Sequence, residues 1–185
     1  MRKLQDLSRR EMYIIAKDYA MTSQANSGGF LTEKYQISSA TFYNILHKVV
    51  LERIVPENVA KMIATKAANN NYNHGGEGAK IRTLEMYEDL ITKSKSHRLR
   101  RADAKYWTIK YIESEYDLNN FAKAYYLDVV LLKRALYDTV VNCWIDTNKV
   151  EQLKEKTKRH KEEDVEEAFE KMLEKRKEAS KKGKK

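Results

Sequence analysis

Three scarcities bound this chain before any motif is read: its 185 residues include 1 proline, 6 glycines and 1 cysteine. Many-stranded β architectures draw on proline and glycine for their turns, so this shortage argues against them and for helices. One cysteine excludes an internal disulfide and a zinc site built on several thiolates. In VVNCWI, Cys143 stands among apolar neighbours and is expected as a small core residue. No apolar run reaches the roughly 18 residues of a membrane span. The opening MRKLQDLSRREM has no apolar signal core, so a reducing cytoplasm is the expected setting, with no membrane partner. Catalytic signatures are missing too. Gly75–Lys80, GGEGAK, lacks the G-x-x-x-x-G-K-[ST] spacing of a phosphate loop, and no strand precedes it. His47, His74, His97 and His160 have no paired helical spacing for a metal. Carboxylates stand mostly four residues from Lys or Arg, as on a solvated helix. The expectation is a non-enzymatic protein with no catalytic residue, cofactor or metal.

What the chain has in quantity is charge. Asp, Glu, Lys and Arg make up 34% of it, and the mean hydropathy is -0.76. Lys and Arg outnumber Asp and Glu to give +9 and a pI near 9.4. Such an excess favours a polyanionic partner, with nucleic acid ahead of a membrane surface. The length suits one domain or two small ones.

Helical spacing then organises the first third. Ser8 and Glu11 form an S-x-x-E capping box, which predicts a helix over about 9–20 carrying Tyr13, Ile14, Ala16 and Lys17. TSQANSGG reads as loop. In LTEKYQISSATFYNIL, residues 31–46, a second helix is expected from near Phe30, with Leu31 and Tyr35 on one face. Gln36 falls at a tight turn, Ile37 plugs the corner, and Ser38 caps a third helix. Phe42, Ile45, Leu46, Val49 and Val50 form the apolar stripe of that helix. Its other face carries Ser39, Ala40, Tyr43, Asn44 and His47, small or polar groups that fit a DNA major groove and bond to base edges.

This segment resembles the helix-turn-helix of bacterial and phage regulators and resolvase-type proteins. Leu31, Thr32, Tyr35, Ile37, Ser38, Thr41, Phe42, Tyr43 and Leu46 match that pattern. Thr32 replaces the usual Ala, Gln36 the usual Gly, and Asn44 stands where Arg is frequent. The resemblance implies double-stranded DNA as partner. The expected DNA-binding set is Ser38, Ser39, Thr41, Tyr43, Asn44, His47 and Lys48, with Ser38 and Thr41 approaching phosphate. Lys34, Arg100, Arg101, Lys133 and Arg134 are further candidates for phosphate contact.

Ninety residues on, FAKAYYLDVVLLKRAL repeats the grammar: Phe121, Ala122, Tyr125, Leu127, Asp128 and Leu136 answer Leu31, Thr32, Tyr35, Ile37, Ser38 and Leu46. YWTIKYIESEYD supplies a preceding helix, with Tyr106, Ile109 and Ile112 in step. Val129 and Val130 replace Ser39 and Ala40, so the second unit is expected to pack or self-associate, burying both valines against protein.

The expected fold is therefore all-α, with two tri-helical helix-turn-helix-like units joined by a helical linker and followed by a charged tail. The divisions are 1–55 for the DNA-binding unit, 56–98 for a linker or oligomerisation region, 99–147 for the second unit and 148–185 for the tail. Within 56–98, the run NNNYNHGGEGAK reads as a hinge. In the tail, Val165, Ala168, Phe169, Met172 and Leu173 make a short apolar stripe, and Val165, Phe169, Met172 and Leu173 are expected to bind a partner as a detached helix. The layout as a whole is similar to phage small terminase subunits, in which the first motif recognises viral DNA, the middle builds a ring and the tail engages the ATP-hydrolysing large subunit. A transcriptional regulator using the same motif, commonly a two-fold dimer, is the alternative. A nucleoprotein that coats DNA without sequence preference is a third.

Overall fold

In the computed structural model, which describes residues 1–23, 27–160, 170–171, 173–175 and 177, the chain is all-α and no strand occurs among the described residues. It divides into two units, Met1–His97 and Arg98–Lys185.

The first unit opens with α1, Arg9–Met21, started by the capping box the sequence predicts. Ser8 Oγ accepts from the Glu11 amide at 3.2 Å, and the Glu11 carboxylate accepts from the Ser8 amide at 2.9 Å. The Arg2 guanidinium first, then the Ser8 donors, hold the Glu11 carboxyl at about 2. The buried face is Met12, Ile15, Ala16 and Tyr19. It is shifted from the expected Tyr13, Ile14, Ala16 and Lys17, and Ile14 is left exposed. Tyr19 sets the phase, because its ring is the largest group α1 places in the core, and residues three, four and seven positions earlier share its side of the helix.

Helix α2, Ser27–Tyr35, begins earlier than expected, with Gly28 and Gly29 inside it. Helix α3, Ser39–Leu51, follows after a short corner. Its stripe of Phe42, Ile45, Leu46, Val49 and Val50 is wholly buried, as its spacing predicts. Burying each of these side chains contributes roughly 1.5–3 kcal/mol. Tyr19 meets Phe42 edge to face at 5.2 Å.

Helix α4, Glu57–Ser94, packs on α3 and α1, so the 56–98 segment folds into the first unit. The expected hinge narrows to one residue. Gly76 alone leaves helical geometry, at φ 67 and ψ -164, while its asparagine-rich surroundings stay helical. Asn71 Nδ2 donates to Thr83 Oγ1 at 2.8 Å. A straight helix would hold residues twelve apart at roughly 18 Å, so the arm 77–94 turns back along the arm 57–75.

The second unit comprises α5, Arg101–Glu113; α6, Leu118–Ala124; α7, Val129–Val141; and α8, Thr147–Arg159. Asp117, Asp128 and Asp146 cap α6, α7 and α8, each carboxylate accepting an amide of the first turn. On α5 the buried residues are Ala104, Thr108 and Tyr111, whereas the expected Tyr106 is exposed and Ile109 and Ile112 are half-buried. The stripe again takes its phase from a central tyrosine. Tyr111 meets Phe121 at 5.3 Å and Trp107 meets Tyr125 at 5.7 Å. The other tryptophan, Trp144, packs on the small cluster of Leu99, Ala104, Leu131 and Ala135.

The ninety-residue repeat extends to the backbone. Gln36 and Tyr126 adopt φ 55 and 53, and Arg53 and Cys143 adopt φ 50 and 55. Each sits just past a helix end with the two back-bonds of a Schellman motif. The Ile37 and Leu127 amides reach Thr32 O and Ala122 O at 3.0 and 2.8 Å. Those of Ile54 and Trp144 reach Val49 O and Thr139 O, both at 2.9 Å. This geometry places Cys143 on the surface and not in the core, because a left-handed residue at a helix end turns its side chain away from the stripe behind it. A further pair was invisible to motif reading. Lys66 Nζ donates to Tyr19 O and Thr22 O at the end of α1, and Lys156 Nζ donates to Ser114 O and Ser114 Oγ at the end of α5. Both ammonium groups also lie over a tyrosine ring, at 5.0 Å for Tyr19 and 4.5 Å for Tyr111. Cations at carbonyl ends complement the helix dipole.

These conformations give substitutions of opposite sign. Gly76→Ala places a Cβ in a backbone region that only glycine adopts easily, and should cost about 1–3 kcal/mol. Cys143→Gly relieves a left-handed non-glycine residue and should gain up to about 1 kcal/mol. Urea-denaturation midpoints of the two variants, moving in opposite directions, are the check.

Candidate functional site

Helix α3 is amphipathic in a way that separates packing from display. Its apolar stripe is sealed in the core, while Ser39, Ala40, Tyr43 and Asn44 are exposed. Tyr43, 48% exposed, is steadied by an edge contact with Phe42 at 5.6 Å. Ser38 and Thr41 are half-buried at the helix start. Ser38 Oγ accepts from the Thr41 amide at 3.1 Å and lies 2.9 Å from Thr41 Oγ1, so the two hydroxyls form one polar corner. The direction of α3 is set by the Gln36 turn and by Ile37, which is fully buried. Arg2 N also bonds to Gln36 O at 2.8 Å, tying the N-terminal segment to the corner.

The second half of the helix is less open. His47 is half-buried, with its ring edge to face on Tyr87 at 5.7 Å, under the returning arm of α4. Burial lowers its pKa from the ordinary value. Tyr87 is buried and its hydroxyl has no hydrogen-bond partner. Lys48 lies 3.6 Å from Glu52, which also pairs with Arg9. Lys34 donates to Asp18 at 2.7 Å, and the Tyr35 hydroxyl bonds to the same carboxylate. Lys34 first, then Tyr35, lower the Asp18 pKa.

The remaining expected site residues belong to the second unit. Arg100 is exposed at the start of α5, and Arg101 lies over the Trp144 ring at 5.8 Å. Lys133 and Arg134 are half-buried on α7. The two valines, expected to be buried within the subunit or across a subunit interface, differ within the chain. Val129 packs against the unit's core, but Val130 is 46% exposed in the chain, because the α7 stripe runs through Leu131, Leu132, Ala135 and Leu136 and leaves position 130 on the other side. In the tail, Val165, Phe169 and Met172 lie outside the described residues. Leu173 packs against the core of the second unit, and Lys175 Nζ donates to the Tyr137 hydroxyl at 3.1 Å. At these positions the expected detached element is instead held on its own unit, because an apolar side chain gains more from a neighbouring core than from water.

Tyr87 is read in the sequence only as one position of a helical stripe with Ile81, Leu84, Leu90 and Ile91, and its place over His47 is not. The signal was present in the 84, 87, 91 spacing, but the fold-back at Gly76 that aims it is a three-dimensional fact. Among the described residues no group of three or more His, Cys, Asp or Glu side chains is placed to hold a metal ion. None of the described helices is long and apolar enough to cross a membrane. No family model, curated protein or solved structure matches the chain.

A pH effect follows from His47. Its pKa is depressed in the folded chain, so the unfolded chain takes up the proton first as pH falls below the ordinary value of 6.5. Its stabilising contribution is full above that pH and drains away below it, at no more than about 1.4 kcal/mol per pH unit. His47→Gln should flatten the decline in urea midpoint between pH 7.5 and pH 5.5. An undiminished slope in that variant would assign the decline to other groups.

Proposed function

We propose that this chain is a non-enzymatic protein that binds double-stranded DNA, with the N-terminal half of α3 reading base edges in the major groove. The observation carrying this reading is the exposed row Ser39, Ala40, Tyr43 and Asn44 on a helix whose opposite face is entirely buried. Ser39 and Ala40 are small enough to let the helix approach the groove floor. Asn44 has the donor and acceptor pair that matches adenine. The Ser38–Thr41 corner and the free amides of the first turn suit a phosphate oxygen. His47 and Lys48 flank the reading half. Lys34 and Lys48 now face carboxylates at partly exposed positions, where a pair is worth under about 1 kcal/mol, so phosphate can replace either partner. The net charge of +9 supplies the sequence-independent part of the attraction.

Within that class we take recognition of phage DNA for packaging as the role. The order of a DNA-binding motif, a helical middle and a charged C-terminal stretch is similar to small terminase subunits, and the chain would then act as a homo-oligomer beside a large ATP-hydrolysing subunit. The mass of the assembled particle tests this role directly. Ring-sized oligomers support packaging, whereas a stable dimer would move the assignment to a transcriptional regulator.

The DNA reading has its own check. On duplexes selected from a randomised pool, Asn44→Ala should cost roughly 1–3 kcal/mol and relax the sequence preference. Affinity should fall steeply as salt rises. Unchanged selectivity in variants of Ser39, Tyr43 and Asn44 would remove α3 from the role.

A further inference from the structure

The two units share a frame so closely that their exposed faces can be compared residue by residue. The corner before α7, its cap, the left-handed residue after it and the lysine that closes α5 all have counterparts around α3 at the same spacing. Position 130 therefore answers to 40, 133 to 43, 134 to 44 and 137 to 47.

The covering of the two helices matches as well. In the first unit the returning arm of α4 lays Tyr87 on His47. In the second, Lys175 bonds to Tyr137 and Leu173 packs on the core. Each unit thus occupies the later half of its helix with a returning segment, while the side chain at the second position, Ala40 or Val130, stays exposed.

We propose that the second unit makes a DNA contact of its own through the N-terminal half of α7, with Val130 against thymine methyl groups and Lys133 and Arg134 on phosphate or guanine. This rests on the reading of the first unit as a DNA binder.

The chemistry favours DNA over a second copy of the chain. Val130 and the two cations stand three and four residues apart, on one side of the helix. An apolar subunit interface over Val130 would desolvate Lys133 and Arg134 and set them against identical charges from the other copy. A duplex offers phosphates to the cations and a methyl group to the valine. Asp128 is the acidic residue that caps α7. Its carboxylate accepts the Leu131 amide at 2.8 Å, and the helix dipole offsets its charge. Arg134 stands where Asn44 stands in the first unit, so the two faces would prefer different bases.

The test uses the full chain and a mixed-sequence 40-base-pair duplex, with affinity followed by fluorescence anisotropy as salt is varied. Each phosphate contact contributes about -0.9 to the slope of log affinity against log salt. Lys133→Ala should reduce the slope by about one, and Val130→Glu should weaken binding by roughly tenfold or more through repulsion of phosphate. Lys158→Ala, on α8, should leave the slope as it was. Tryptophan emission reports whether the second unit remains folded in each variant, and Val130→Ala serves as a milder substitution that loses the methyl contact. If all three α7 variants bind like the parent while Asn44→Ala weakens binding, the second contact is overturned and the first unit's role stands. If the α7 variants change the particle's mass but not its DNA slope, the face is a self-association surface and the proposal fails. If no variant on either helix affects binding, both readings fall together.

Discussion

Everything displayed by the first unit depends on how the chain turns at Gln36. A residue held at φ 55 ends α2 within one position and sends α3 off at a fixed angle. The two back-bonds to Glu33 and Thr32 satisfy carbonyls that the helix end would otherwise leave bare. Ile37, fully buried, then locks the angle from inside. If the corner opened, the stripe from Phe42 to Val50 would leave the core and the outward row would lose its direction together with it. Glycine would hold this conformation at lower strain, yet Gln36, Arg53, Tyr126 and Cys143 stand at the four such turns among the described residues. The rest of each unit's packing must therefore hold conformations that local preference resists.

Much of this was legible in the residues, and the reason differs by element. Helix α3 could be read almost completely, because a cap, a five-residue stripe and an outward polar face all agree on one phase. Caps at Ser8 and Ser38 were legible for the same reason, since the side chain that starts the helix is local in sequence. Helices α1 and α5 were harder. Their apolar residues fit two neighbouring phases, and the choice fell to Tyr19 and Tyr111, whose burial depends on partners elsewhere in the unit.

The harder cases are those where a distant contact decides. Asparagine and glycine between positions 69 and 78 suggested a hinge, yet all but Gly76 are helical, and the Asn70 and Asn71 side chains bond to Tyr19 and Thr83. His47 had the right position to face outward and is instead covered by a tyrosine forty residues later. The apolar neighbours of Cys143 suggested burial, but the residue lies past a helix end, where neighbours in sequence are not neighbours in space. Lys66 and Lys156 carry no local signal of their role, because the ends of α1 and α5 that they bond lie more than forty residues earlier in the chain. The two lysines stand ninety residues apart, at the same spacing as the repeat.

The placement of Trp107 and Trp144 has a practical side. Both indoles sit in the second unit, and the first holds only tyrosine and phenylalanine rings. Excitation at the red edge of the protein band therefore sees one half of the molecule, while tyrosine-weighted or circular dichroism signals see both. Melting followed with the two probes would give coincident curves if the halves unfold as one cooperative block, and separated curves if each half keeps its own thermodynamic identity.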